Sequence, residues 1–266
     1  MNLYTTTLML ALSAPLAFSS ASQAGCEPPD GADGAPSGTS SGELTALGAT
    51  AGETPSSSEA TLAGDGSLNE AQVAWLVQMR EEEKLARDVY LTLGERWDVN
   101  VFRNIPKAEQ RHMDAVGALL ERYGVEDPIQ PGTEDVVGVF TSDELRGLYG
   151  ELVAQGQGSL GDALRVGAAI EELDIDDLDD ALAELPGGLP ADIAQVYANL
   201  KRGSRNHLRA FVGQLRALGE HYEPSYLSVE AVDEILSQPI ERGAGAGQGR
   251  AGHVEGSRRG RGWRQR

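Results

Sequence analysis

Residues 101–123 read VFRNIPKAEQRHMDAVGALLERY, and their spacing decides the fold. Stepping by three and four from Phe102 gives Ile105, Glu109, His112, Val116, Leu119 and Tyr123, one face of a helix that is apolar at its ends and polar at its centre. Glu109 and His112 lie three residues apart, so both side chains leave the same face toward one point. Gly124 and Pro128 end the pattern. A carboxylate on a buried stripe is costly without a partner, so this helix must pack against others that supply one.

Three further stretches show the same alternation. Residues 68–96 give Leu76, Met79, Glu83, Ala86, Tyr90, Leu93 and Trp97. Residues 159–185 give Leu160, Leu164, Gly167, Glu171, Asp174, Leu178 and Leu185, and residues 190–218 give Ile193, Tyr197, Leu200, Ser204, His207, Phe211 and Leu218. Ser67 followed by Glu70 reads as a capping box for the first of these helices. Pro186-Gly187-Gly188 ends the third, Pro190 opens the fourth, and Ser142 caps a short extra helix over 143–155. Short links between first and second, and between third and fourth, predict hairpins; the longer stretch after residue 123 predicts a crossover. The expected fold is all-α, an antiparallel four-helix bundle with a crossover carrying the short helix, a topology that can hold metal in its core.

Each stripe turns polar at a similar depth. Aligned carboxylates and imidazoles supply partners for one another, and a divalent cation would neutralise the acids while accepting neutral imidazole nitrogen. Of the four histidines, His112 and His207 fall on the stripes level with a Glu, His221 follows the fourth helix as a charge near its carboxyl end, and His253 lies in the tail. The run Asp174, Asp176, Asp177, Asp179, Asp180 reads either as containing a ligand or as a solvated face.

The rest of the chain has a different composition. Residues 1–25 hold a short apolar stretch around Leu8, Leu12 and Phe18, read as a secretory signal and too short to span a bilayer. Cleavage before Gly25 competes with a lipoprotein-like Ala24-Gly25-Cys26; Cys26 is the only cysteine, which excludes an intrachain disulfide and makes it a candidate lipid anchor. The expected location is outside the cytoplasm, periplasmic, secreted or tethered to the envelope. Residues 26–66 are rich in Gly, Ser, Thr and Pro and read as a disordered linker, with the bundle over 67–223 and a short helix and Gly/Arg-rich tail over 224–266. Up to residue 239 there are 15 Lys and Arg against 39 Asp and Glu, whereas residues 240–266 hold 7 Arg and 2 Glu. So acidic a body repels nucleic acid.

On these residues the sequence resembles the ferritin-like superfamily, and over almost all of residues 67–222 the ferritin-like family of unknown function numbered 2202. The segments that carry the resemblance are EEEKLARDVY at 81–90, EQRHM at 109–113, IEELDI at 170–175 and SRNHL at 204–208. In ferritin-like di-iron proteins the first and third long helices each give a Glu, and the second and fourth each give Glu-x-x-His. Glu83, Glu109, His112, Glu171 and His207 match that pattern. Ser204 departs from it, standing where the fourth helix would give its Glu, and Asp174 resembles the additional carboxylate of rubrerythrin-like members. A register shift of one would exchange Glu82 and Glu172 for their neighbours. The resemblance implies two iron ions, or another divalent transition metal, and oxidation of Fe(II) by O2 or peroxide, with Tyr90 as a redox side chain or simply a packed one. The rival expectation is a non-catalytic metal-binding or structural interaction bundle. A dimer suits the chain better than a ferritin cage.

Overall fold

Asn69 opens the first helix. Its side chain accepts from the Gln72 backbone N–H at 2.9 Å, and Gln72 Oε1 accepts from the Asn69 N–H at 2.9 Å, a reciprocal capping box. The box expected at Ser67 and Glu70 is therefore displaced to the overlapping match at Asn69 and Gln72. Both pairs have the right chemistry; Gln72 alone also reaches another part of the chain, donating to the Gly188 carbonyl at 2.6 Å.

The computed structural model describes residues 67–184 and 187–242. These contain six α-helices and no strand: α1 Glu70–Arg96, α2 Asn100–Tyr123, α3 Asp143–Gly156, α4 Leu160–Glu184, α5 Ala191–Ala217 and α6 Val229–Ser237. The five helices expected from periodicity agree with α1 to α5 to within two residues at every end. Gly124, in the left-handed conformation at φ 66°, ends α2, and the following Val125 N–H returns to the Leu120 carbonyl at 2.9 Å. Ser142 caps α3 through the Leu145 N–H, and Ser228 caps α6 through the Ala231 N–H. The signal, linker, lipid-anchor and Gly/Arg-tail expectations fall on residues outside those described. No helix among the described residues is long and apolar enough to cross a membrane.

The helices form a bundle. Here α1 packs along α2 and α4 along α5, α1 also meets α4, and α2 meets α5; α3 lies against α1 and α4, and α6 against α5. The core is divided. One apolar cluster includes Val89, Leu93, Phe102, Ile105, Leu164 and Phe211, and the other includes Leu76, Met79, Val116, Leu119, Leu178 and Leu200. On α1, α2 and α5 the polar stripe positions lie between the two clusters; on α4 Glu171 and Asp174 lie between Leu164 of the first and Leu178 of the second.

A second face of α1 is covered by the crossover that follows α2. Lys84 donates to Asp88 at 2.6 Å and to the Val136 carbonyl at 2.9 Å, Arg87 donates to Asp88 and to the Glu134 carbonyl, and Gly138 N–H donates to Asp88 at 3.0 Å. Arg80 reaches Asp127 and the Met113 carbonyl. Arg80, Lys84, Arg87 and Asp88 are buried yet engaged, which is the condition for ions to be tolerated in an interior, while Asp127 meets Arg80 from the exposed side. On α4, Glu172 is also fully buried: one oxygen accepts from the Tyr222 hydroxyl, the other from the backbone N–H groups of Ser225, Tyr226 and Leu227 at 3.0, 2.9 and 2.9 Å. That carboxylate holds the segment after α5 against the bundle.

Candidate metal centre

Four helices bring their polar positions to one place: α1 gives Glu83, α2 gives Glu109 and His112, α4 gives Glu171 and α5 gives His207. The carboxylates are at most 2 % exposed. His112 Nδ1 lies 2.8 Å from Glu109 Oε2 and 3.2 Å from Glu83 Oε2. His207 Nδ1 lies 2.8 Å from Glu109 Oε1 and 3.4 Å from Glu171 Oε2. The residues thus form two groups, Glu83–Glu109–His112 and Glu109–Glu171–His207, in each of which the donor atoms lie within 4.8 Å of one another. Glu109 belongs to both, one oxygen to each, and the two imidazole rings stand 5.8 Å apart.

Neighbouring side chains set this geometry. Tyr90, buried among Phe102 and Phe211, donates its hydroxyl to Glu171 Oε1 at 2.8 Å, which leaves Oε2 facing His207. Gly203 on α5 makes room for the His112 ring: a Cβ there would stand 2.6 Å from His112 Cε1. Neither contact follows from a stripe of polar residues, although a glycine inside a helix costs about 1 kcal/mol against alanine and so signals a close approach.

The electrostatics of the centre's own side chains balance acids against imidazoles. Burial pulls the His112 pKa down, but Glu83 and Glu109 outweigh it and raise it to about 10; His207 is raised well above the ordinary value against the same opposition from burial, by Glu109 and Glu171. Burial pushes Glu83 and Glu171 up to about 7, in spite of their histidines. For Glu109 burial also pushes upward, but His207 and His112 together overcome it and hold it well below the usual carboxylate range. Even so, Glu109 Oε1, Glu171 Oε2 and His207 Nδ1 are buried without a hydrogen bond. The 2.8 Å approach of His207 Nδ1 to Glu109 Oε1 lacks hydrogen-bond alignment, so a cation that replaced the His207 proton would find all three atoms without another partner. Two carboxylates and one imidazole in each group are a donor set suited to a divalent transition metal.

The remaining candidates fall elsewhere. Asp174 is buried and within the field of Glu83, Glu171 and Glu109 but joins neither group, so it is not brought together with the other five. Ser204 is buried and donates to the Leu200 carbonyl of its own helix at 3.3 Å, as a hydroxyl inside a helix commonly does. Glu172 is committed to the backbone of residues 225–227, and Glu82 accepts from Gln78 at 2.8 Å, so neither register neighbour is in the centre. His221 is exposed beyond the end of α5.

A protein-family model described as "Uncharacterized protein domain (DUF2202)" matches residues 72–239, a span that contains all five clustered residues. The uncharacterized protein MJ0754 of Methanocaldococcus jannaschii is 48 % identical over 176 residues, covering 66 % of this chain and 92 % of the relative. A crystal structure of the hypothetical protein MJ0754, given there as from Methanococcus jannaschii, superposes with a TM-score of 0.61, covering 65 % of this chain and 96 % of that one. Both the matched span and this degree of identity lead to one conclusion: the chain belongs to the DUF2202 family.

Proposed function

We propose that this chain is a ferritin-like di-metal protein that holds two iron ions and oxidises Fe(II) with O2 or peroxide. The division of Glu109 carries the reading: its two oxygens each lie 2.8 Å from a different imidazole, so one carboxylate serves two donor groups. The order of the apolar clusters supports the ferritin-like part. The cluster with Leu76 precedes the polar positions on α1 and α5 and follows them on α2 and α4, as it does when two helices run one way, two run the other, and a crossover joins α2 to α4.

In this reading Glu109 would be shared between the two ions, Glu83 and His112 would hold one, and Glu171 and His207 would hold the other. Iron bound there would supply the one-electron exchange, Fe(II) losing its electron to the oxidant. Tyr90 orients Glu171 by donating to Oε1, and burial of the three carboxylates keeps bulk water from the donors. Other divalent transition metals fit the same donors.

Ser204 favours a second reading. With its hydroxyl turned to Leu200, the His207 side has no carboxylate from α5, which suits a bundle that binds metal without turning over. Metal analysis of the purified full chain and an aerobic Fe(II) oxidation assay separate the two. Bound iron with oxidation faster than in buffer, lost in Glu109→Ala plus His112→Ala, supports the oxidase; bound metal without oxidation supports the second reading; no bound transition metal removes both. We also propose an extracytoplasmic location on the strength of residues 1–25, and mass spectrometry of the mature amino terminus tests it, an intact Met1 in the native host overturning export.

A further inference from the structure

Solvent reaches the centre at two of its five side chains. Those of His112 and His207 are 16 % and 12 % exposed, against 3 % or less for Glu83, Glu109 and Glu171. Each imidazole turns Nδ1 inward to the carboxylates, and His207 Nδ1 is itself buried, so the exposed surface of that ring is its far edge. The far edge of His112 lies against α5: a Cβ at Gly203 would stand 2.6 Å from Cε1 and 2.8 Å from Nε2. The two rings therefore form the outer wall of the centre where α2 faces α5.

Other directions are closed. The two apolar clusters lie toward either end of the bundle, Tyr90 is fully buried against Glu171, and Met113 and Leu208, next to the histidines in sequence, are fully buried. Helix α3 lies against both α1 and α4 and so covers the seam between them, whereas no described helix packs in that way against both α2 and α5. Small residues keep the α2–α5 seam thin. Ala108 and Ala115 stand four residues before and three after His112, Gly203 and Ala210 stand four before and three after His207, and all are half-buried. At those steps the imidazoles are the only large side chains. An ion that keeps its waters at about 2 Å does not pass between rings whose centroids are 5.8 Å apart, so one ring has to turn aside.

We propose that this seam is the entrance to the centre, and that metal ions enter as the His112 ring turns away from Glu83 and Glu109 into the space beside Ala108 and Ala115. His112 is the moving part because its ring is the more exposed of the two and rests on the bare backbone of Gly203 rather than on a side chain. The entrance presupposes that the five clustered residues hold metal, and it adds the direction of approach and the side chain that opens. Entry and exit use one route, so a larger side chain beside His112 hinders both equally. It changes rates and leaves affinity in place.

The test is stopped-flow binding of Co(II) alone to the full chain after chelation, read by the ligand-field absorbance of the bound ion, with equilibrium affinity measured on the same samples. Ala115→Leu is expected to slow association about tenfold and dissociation by the same factor, leaving affinity within about twofold of wild type. Ala108→Leu, on the other side of His112, is expected to do the same and covers the case in which circular dichroism finds Ala115→Leu unfolded. Ala154→Leu, exposed on α3 at the far side of the bundle, is expected to bind at the wild-type rate. Unchanged association in a folded seam variant, or equal slowing in Ala154→Leu, overturns the entrance. So does a loss of affinity carried by faster dissociation, which marks a displaced donor instead. Absence of bound Co(II) in wild type speaks against the metal centre itself, and it is seen before any variant is made.

Discussion

At the scale of single residues, Gly203 and Tyr90 determine how the donors are aimed. Gly203 leaves the His112 ring the space that a Cβ would take, so Gly203→Ala should displace the imidazole while improving the local helix preference. The expected result is metal affinity lower by about ten- to a hundredfold, with a melting temperature of the metal-free protein unchanged or raised. Metal titration alongside thermal melting checks it; equal affinity would mean the ring has another place to go. The five clustered residues were legible in the sequence as stripe positions. Glu83, Glu109, His112, Glu171 and His207 each stand on an apolar stripe, and a charge at such a position is a strong signal. Asp174 stood on a stripe as well, yet joins neither donor group, because stripe drift along α4 cannot be read to a single turn without the partner helix in place. Gly203 signals a close approach but not what approaches, since its contribution is the absence of a side chain.

Among the elements, α1 and α4 differ most from simple amphipathic helices. The segment EEEKLARD at 81–88 has the composition of a solvated surface, but Lys84, Arg87 and Asp88 are buried because the crossover closes over the second face of α1, and Glu83 is buried in the centre between the helices. On α4, Glu172 plays the corresponding part for the segment that follows α5. Glu172→Ala removes the acceptor of three backbone N–H groups and a tyrosine hydroxyl at once. The expected loss is about 3 kcal/mol of stability, read by chemical denaturation, with faster hydrogen exchange at the amides of residues 225–227. Metal binding by the variant should persist, because Glu172 points away from the centre; loss of metal at unchanged stability would reverse that assignment. Helix ends were legible wherever a cap is local, as at Ser142 and Gly124. At α1 two caps overlapped, and only the bond from Gln72 to Gly188 distinguishes them.

For the whole molecule, the charge state of the centre couples metal binding to pH. In the metal-free protein the His112 pKa is raised to about 10 from an ordinary 6.5, so its pair with Glu109, whose carboxyl is held well below the usual range, contributes fully below pH 6.5 and is lost as pH rises through 10. Metal takes the place of the His112 and His207 protons, so binding near pH 7 should release acid and tighten as pH increases. Proton release in weakly buffered solution measures this, and affinity independent of pH would exclude both Nδ1 atoms as ligands. The same substitution predicts that saturating metal flattens the loss of thermal stability between pH 6.5 and 10. The sequence by itself determined the all-helical architecture, the helix bounds to within two residues and the five residues that cluster at the bundle's centre, because helical periodicity and caps are local and because charges on an apolar stripe contradict their surroundings. Only the tertiary structure decided that Glu109 is shared between two groups and that Glu172 and Lys84 are buried in backbone contacts. Those facts depend on which helices and loops cover a second face, and that is fixed by packing between segments far apart in the chain.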